Sequence, residues 1–334
     1  MTAIDILVLN TTGAAALGLV LDSFDAADNV AGSGPSKMFD WRVLTPGSDH
    51  VELKHGLTLP AQPLAAARPR ELVIALGIGA PGPEAVERRV DADDARAASR
   101  WLGQAHRRGA EDAAGCTGVF LLGEAGILDG RACTTTWWLA GVLARRCPRA
   151  VVRADEIVVH DRGVWTAGAV VSQLDLALAL IARHGGEPLA AETRRRLAAP
   201  TRLSQAPYIS AVAMAAGEED ISKLEAYLAC RLEAPVALAD AARALGASQR
   251  TLARRVRAVT GLSPSRFIQK IRLNAALRLI ESTRMPLAEV AARVGLADAA
   301  VLHRLVVRHT GLAPGHFRGG RSPNSEGMGR AIVE

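Results

Sequence analysis

Two patterns in this 334-residue sequence bring together side chains that could do chemistry. The first is a row of arginines, Arg250, Arg254 and Arg257, preceded by Ser248 and Gln249. At about 100° per residue the three arginines share one face of a helix, and Leu252, Val256 and Val259 share the opposite face. A forked guanidinium can donate to O6 and N7 of guanine, and a glutamine amide can read adenine, so such a face has the chemistry of major-groove readout. The second pattern is Ala114-Gly115-Cys116-Thr117-Gly118. Small residues two before and two after a nucleophile-type side chain permit a sharp strand-to-helix elbow. A thiol there meets the N-terminus of the following helix, whose dipole and free N–H groups can lower its pKa.

Each pattern has a plainer reading. Three arginines at this spacing also describe the solvated face of an amphipathic helix. A lone cysteine in a glycine-rich turn is also a structural residue. A third motif, Gly77-Ile78-Gly79-Ala80-Pro81-Gly82, has the spelling of a dinucleotide fingerprint. Pro81 and Pro83 interrupt its helix start, and no second strand ending in an acidic ribose ligand follows. It is read as a tight glycine turn at a strand end, and no cofactor is assigned. Seven of the histidines (His50, His55, His106, His160, His184, His309, His316) show no metal-ligand spacing. The four cysteines (Cys116, Cys133, Cys147, Cys230) form no C-x-x-C, so neither a metal nor a disulfide scaffold is assigned.

The elements that must position the arginines form a repeat. Thr260-Gly261-Leu262-x-Pro264-x-x-Phe267 recurs as Thr310-Gly311-Leu312-x-Pro314-x-x-Phe317, at an offset of 50. Ahead of each copy stands a short Ala-rich helix, a glycine turn (Gly246, Gly295), an N-cap (Ser248, Asp298) and a second helix, which is the signature of a helix-turn-helix. A long helix, Pro264–Ser282, runs between the units, with Pro286 beyond its end. In the second unit the positions matching the arginine row are Ala300, Arg304 and Val307, with His303 alongside. The first unit is therefore expected to supply most base-specific affinity. The second reads shape or backbone, or offers alanine methyls to thymine methyls.

Charge separates the chain in the same way. Residues 1–219 carry 22 Lys+Arg against 25 Asp+Glu, and residues 220–321 carry 17 against 7, a net of +10. One module meets a polyanion and the other does not. Together with the duplication, this decides for DNA binding over a merely solvated arginine face. The expected organisation is a first domain at 1–198, a linker at 199–219 rich in breakers, a DNA-binding domain at 220–320, and a Gly/Ser/Pro/Asn-rich tail at 321–334 with no fixed structure.

The first domain alternates strand and helix patterns. Ile4–Leu9, Trp41–Thr45, Glu71–Leu76, Val151–Val152 and Glu156–His160 read as strands. Leu17–Asp28, Asp91–Arg107, Val119–Ala125 and Gln173–His184 read as helices. The pattern predicts a parallel sheet covered on both faces, with ligands at the carboxyl ends of its strands. Glu111 and Asp112, just before the elbow, make a poor buried strand. The first residues lack the charged start of a secretory signal, and Ile6–Leu21 is broken by polar residues, so the protein is read as soluble and cytoplasmic.

Two resemblances sharpen these expectations. Cys116-Thr117-Gly118, the run Leu121–Arg131 and Thr134-Thr135-Thr136-Trp137 resemble the PfpI-type, class I glutamine amidotransferase-like domain found in transcriptional regulators. Val164-Trp165-Thr166, Leu174–Leu178 and Gln205-Ala206-Pro207-Tyr208 fit the same group. The resemblance implies a flavodoxin-like α/β sandwich, often dimeric, with a ligand site at Asp22, Gly79, Cys116, Thr117 and Thr136. Proteolytic relatives place His directly after the cysteine, and the regulators usually have His before the tryptophan; this chain has Thr117 and Thr136. Asp22 lies where the family carries an acidic residue near the elbow. Without a histidine Cys116 has no evident general base, and no catalytic residue is assigned.

The segment Ile221–Arg318 is similar to the AraC/XylS-type DNA-binding domain, an all-α fold with two helix-turn-helix units. That resemblance implies two helices entering successive major grooves on one face of the duplex. The family usually shows aromatics where Leu302 and Val306 stand, and often Arg where His303 stands. The combined expectation is a transcriptional regulator, not an enzyme. It contacts promoter DNA through Ser248, Gln249, Arg250, Arg254, Arg257, Ala300, His303 and Arg304. It responds to a small, nitrogenous effector, works as a homodimer through its first domain, and meets RNA polymerase. The alternatives are an amidase- or hydratase-like enzyme with Cys116 as nucleophile, and a redox sensor using the same thiol.

Overall fold

The computed structural model describes residues 1–32, 37–200, 202, 205, 219–234, 236–260, 262–310 and 312–318. Most of the expected linker, the tail from residue 319, Gly261, Gly311 and the side chain of Val259 lie outside the described residues. The chain divides into two compact units, Met1–Gln205 and Ala206–Glu334.

The first unit is built on a seven-stranded sheet. From edge to edge it runs Val158–Asp161, Val164–Ala167, Glu111–Gly115, Leu72–Ala75, Thr2–Leu7, Phe39–Thr45 and Gln62–Pro63. Every neighbouring pair is parallel except the first, where Val158–Asp161 turns back antiparallel on Val164–Ala167. Central parallel strands are covered on both faces and must be apolar throughout. Leu72–Ala75 is accordingly buried at all four positions. Helices Pro83–Val90, Asp93–Arg107, Val119–Glu124 and Ala140–Arg146 pack one face through Val86, Leu102, Phe120 and Leu143. Helices Ala14–Ala31, Ser172–Gly185 and Glu187–Arg196 cover the other through Phe24, Leu176 and Ala190. The result is the expected three-layer sandwich.

Three differences from the sequence reading have physical causes. Glu111–Gly115 is a strand despite its acids, because Asp112 is fully buried against His106, with Oδ2 2.5 Å from Nδ1. Burial pushes the Asp112 carboxyl up to about 6, against the pull of His106 and Arg131. Glu111 Oε1 takes the Trp165 indole N–H at 2.7 Å. Second, Val164–Ala167 is a strand too short to announce itself, and its antiparallel partner makes the sheet mixed. Third, the helix read at Asp91–Arg107 runs over Asp93–Arg107, and a separate helix, Pro83–Val90, precedes it across Asp91-Ala92.

The second unit is all helix: Glu219–Ala229, Leu238–Ala244, Gln249–Thr260, Pro264–Ser282, Leu287–Arg293 and Ala299–Thr310, closed by a 3₁₀ turn at Pro314–Phe317. It has two cores. Ile221, Leu224, Leu252, Val256, Phe267 and Ile271 fill the first, and Leu273, Leu277, Ile280, Val290, Leu302 and Val306 fill the second. The long helix Pro264–Ser282 gives its first half to one core and its second half to the other. Arg272 fastens this joint. Its guanidinium donates to the Gly295 carbonyl at 3.1 Å and to the Ala234 carbonyl at 2.9 Å, so the second turn and the approach to the first are held from one side chain.

The sequence repeat is a structural repeat down to single bonds. Thr260 Oγ1 donates to the Val256 carbonyl at 2.6 Å and accepts from the Leu262 N–H at 3.2 Å. Thr310 Oγ1 donates to Val306 at 2.8 Å and accepts from Leu312 at 3.1 Å. The two turn glycines differ, however. Gly246 (φ 66°) has open space where a Cβ would stand, while at Gly295 (φ 68°) a Cβ would lie 2.1 Å from the Leu232 carbonyl oxygen. Gly246→Ala should therefore cost the C-terminal unit about 1–2 kcal/mol, the penalty of a left-handed alanine. Gly295→Ala should cost more, because the clash is added to the same penalty. Denaturant melts of the full chain followed by helical circular dichroism check the order, and equal losses would contradict it.

Candidate functional site

In the first repeat the helix Gln249–Thr260 opens on a serine cap: Ser248 Oγ accepts from the Thr251 N–H at 3.1 Å. In the second, Asp298 Oδ1 accepts from the Val301 N–H at 2.7 Å ahead of Ala299–Thr310. Each cap satisfies an otherwise free helix-terminal donor and fixes where the helix begins. The inner faces are buried by Leu252 and Val256 in one repeat and by Leu302, Leu305 and Val306 in the other. Aliphatic side chains thus fill the second repeat's inner face.

The outer faces carry the predicted residues. Ser248, Gln249, Arg250, Arg254 and Arg257 are all exposed, as are Ala300, His303 and Arg304. No described hydrogen bond or ion pair ties up Arg250, Arg254, Arg257 or Arg304. The first face is cationic and donor-rich. The second is mostly small or apolar, with Val307 also turned outward. The sequence reading does not single out Arg266 or Arg308, exposed on the first turn of the long helix and the last turn of Ala299–Thr310; only their charge marks them. It assigns no role to Arg272, which holds the two repeats in one arrangement.

The elbow in the first unit has the geometry that its spacing predicts. Cys116 sits between the strand Glu111–Gly115 and a 3₁₀ turn into the helix Val119–Glu124, at φ 57°, a left-handed conformation strained for any residue but glycine. The flanking glycines are required. A Cβ on Gly115 would fall 2.1 Å from the Gln173 amide, and one on Gly118 would fall 2.5 Å from the Ala75 carbonyl oxygen. The ends of four strands are tied here. The Cys116 N–H donates to the Gly168 carbonyl at 2.9 Å, the Ile78 N–H to Thr117 Oγ1 at 2.9 Å, Thr12 Oγ1 to the Gly77 carbonyl at 2.8 Å, and Thr135 Oγ1 to the Cys116 carbonyl at 2.8 Å. Gly79 takes φ 75° with the Thr11 backbone where its Cβ would be, which is the tight turn read from the glycine motif.

The structure thus brings Gly79, Cys116, Thr117 and Thr136 to one end of the sheet. Asp22 is not among them: it is exposed within the helix Ala14–Ala31, and no described contact joins it to the elbow. Thr136 is fully buried, and its hydroxyl has no hydrogen-bond partner. Gln173, packed over Gly115, has both ends of its amide unpaired in the same way. Burial pushes the Cys116 thiol above its ordinary pKa, and hydrogen bonds from Thr117 only partly offset this. The elbow therefore supplies polar hydrogen-bonding atoms rather than an activated thiolate. Among the described residues no group of three or more His, Cys, Asp or Glu side chains could hold a metal ion. No described helix is long and apolar enough to cross a membrane.

Gln205 enlarges this site. Its amide NH₂ donates to the Thr135 carbonyl at 3.1 Å and the Glu156 carbonyl at 3.0 Å, and lies within 3.3 Å of Thr134 Oγ1 and the Ala154 carbonyl. Its oxygen accepts from the Ala169 N–H at 3.1 Å. The buried amide lies where a Cβ on Gly168 would be, and Gly168 is the residue whose carbonyl holds the elbow.

Comparison with known proteins agrees with this division. Residues 241–320 match the helix-turn-helix domain family. Through this unit the chain is similar to helix-turn-helix proteins. Among curated proteins it is 28% identical over 218 residues to the HTH-type transcriptional regulator GbdR of Pseudomonas aeruginosa, covering 64% of this chain and 59% of that one. It is 29% identical over 205 residues to the HTH-type transcriptional regulator GlxA of Rhizobium meliloti, covering 60% and 63%. The chain spans about three fifths of the length of these relatives. Among solved structures, a ThiJ/PfpI family protein from Pseudomonas syringae superposes with a TM-score of 0.50 at 21% identity, over 68% of this chain and 86% of that one. The first unit has the PfpI fold.

The raised thiol makes a direct expectation. In the native full chain, alkylation of Cys116 by iodoacetamide at pH 7.5 should lag behind that of the exposed Cys230, and should accelerate only above the ordinary thiol range. Cys133 and Cys147, buried and pushed up to about 12 and about 11, should stay unmodified until the protein unfolds. Peptide mass spectrometry reads all four sites; fast labelling of Cys116 at neutral pH would restore the nucleophile and redox readings.

Proposed function

We propose that this protein is a sequence-specific transcriptional regulator. Its C-terminal unit binds promoter DNA through the outer faces of Gln249–Thr260 and Ala299–Thr310, and its N-terminal unit binds a small effector at the elbow. The observation that carries the reading is the duplicated, capped helix-turn-helix with its unpaired guanidinium row turned outward, held rigid through one shared helix. The first repeat supplies most base discrimination, with Arg250, Arg254 and Arg257 forking onto guanines and Gln249 facing adenine. The second, with Ala300, His303 and Arg304, reads backbone and shape.

The elbow acts as a ligand site without chemistry. Its unspent Thr136 hydroxyl offers an effector a hydrogen bond, with Gly79, Cys116 and Thr117 around it. Asp22 contributes only if the effector reaches beyond the elbow. A nitrogenous metabolite fits the class of effector; it shifts DNA binding by preferring one arrangement of the protein over another. Homodimers form through the first unit, RNA polymerase is met at the promoter, and the protein works in the cytoplasm.

The test is on the arginine row. Arg254→Ala in the full chain should cost about 1–3 kcal/mol at a selected operator and relax the preference at one base pair. Arg304→Ala should lower affinity with little change in preference. Binding measured by fluorescence anisotropy across an operator library reads both. A loss for Arg254→Ala that is equal on every sequence would mean the row touches only phosphate.

A further inference from the structure

The first unit carries its own cationic stripe, although residues 1–219 hold more acids than bases. On the helix Asp93–Arg107 the buried face is Ala95, Ala98, Trp101, Leu102 and Ala105. The outward residues are Arg96, Arg100, Gln104 and Arg107, which at about 100° per residue fall within one band, with the exposed Asp93 of the first turn at its N-terminal end. The band is about 16 Å long at about 1.5 Å per residue. Arg108 extends it, and Arg68 stands across a groove of about 470 Å³ that also includes Arg100 and Gln104. A second groove of about 510 Å³ on the other side shares Arg100 and Gln104 and adds Arg96, Ser99 and Arg107.

These cations are unspent. Of the acids near the stripe, Asp91 and Glu124 are both held by Arg146, at 2.6 and 2.5 Å, and Asp93, exposed at the start of the helix, makes no described ion pair. Arg96 keeps only a loose contact to Asp91 at 3.9 Å, and no described acid pairs with Arg68, Arg100, Arg107 or Arg108. Ser99 adds a buried hydroxyl on the groove floor with no hydrogen-bond partner, not even in its own helix. An exposed, regular row of guanidinium groups with a side-chain amide among them, and no outward apolar side chain, fits a regular polyanion rather than a folded protein surface.

We propose that this stripe is a second, sequence-independent contact for the phosphodiester backbone of duplex DNA, alongside the helix-turn-helix unit. The inference rests on the DNA-binding reading above. A 16 Å stretch of one strand carries about five phosphates, enough to engage each guanidinium of the stripe. Because the helix-turn-helix unit is on the same chain, a bound operator is present at high effective concentration, and weak phosphate contacts become useful. Such contacts add affinity and salt dependence but no base preference.

The experiment compares the full chain with an Arg100→Gln/Arg107→Gln double variant, and with an Arg195→Gln/Arg196→Gln control on the opposite face of the sheet. Binding constants are measured against salt on an operator with long flanks and on the same operator trimmed to the helix-turn-helix footprint. On the long duplex the stripe variant should lose about 2 from the slope of log K against log salt, close to 0.9 per phosphate contact, with its base preference unchanged. On the trimmed duplex it should match the parent, and the control should match the parent on both. An unchanged slope on the long duplex overturns the proposal, as does an equal loss in the control or loss of an acidic protein partner with DNA binding intact. If the parent chain itself shows no salt-dependent preference for any duplex, the regulator reading falls along with it; if only the stripe variant fails to differ, that reading stands.

Discussion

The arrangement of the C-terminal unit depends on one helix belonging to two cores. Phe267 and Ile271 are packed into the first repeat, and Leu273, Leu277 and Ile280 into the second, so neither repeat can turn without unpacking the other. Arg272 ties the backbone on both sides, and Leu232 packs against both clusters. Two short helix-turn-helix units with cores this small would each be marginal alone. Sharing a helix turns them into one body with a fixed spacing between reading faces. A preorganised pair loses less freedom on binding than two tethered units would, and it can use a second face that binds weakly. The outer face of the second repeat, with Ala300, His303 and Arg304, carries fewer cations than that of the first, with its three arginines.

The elbow combines a strained backbone with a thiol that burial pushes up. A left-handed cysteine and the glycines around it cost stability that a catalytic site would repay with an activated nucleophile. Here the thiol is pushed up rather than down, and Thr117 Oγ1 accepts the backbone N–H of Ile78. The same bonds have another purpose: they join the ends of four strands into one hydrogen-bonded cluster. The strain is retained because the cluster is the centre of the sheet's carboxyl edge, and a cluster with unpaired polar atoms at Thr136 and Gln173 is also a place where a ligand can be held.

Much of this was legible in the residues because local chemistry and tertiary context agree there. Ser248 and Asp298 are caps, Gly246 and Gly295 are left-handed turns, and the small residues about Cys116 make an elbow, each for a reason that acts within a few residues. What escaped was decided at longer range. Asp112 is buried in its strand beside His106, six residues earlier, whose Nδ1 meets its carboxylate across the helix–sheet interface. The antiparallel edge strand depends on which neighbour Val164–Ala167 finds. Asp22 is exposed, and no described hydrogen bond or ion pair joins it to the elbow. Gln205 lies almost ninety residues from Cys116, and only the fold puts its amide beside Gly168.

That last residue bears on how the first unit could speak to the second. An effector changes a protein only through a difference in how well it binds two arrangements. Gln205 is the final residue of the first unit. Its amide spans the backbone of Thr135 and Glu156 on one side and Ala169 on the other, and Thr135 and Gly168 are the residues that hold the Cys116 backbone. The exit of the chain and the floor of the elbow are therefore one buried hydrogen-bond network. In a buried network each unsatisfied group costs about 1–3 kcal/mol. A ligand that drew Thr135 toward itself would have to break or re-form a bond that also fixes Gln205, and the energy for doing so is of the size that allosteric coupling requires.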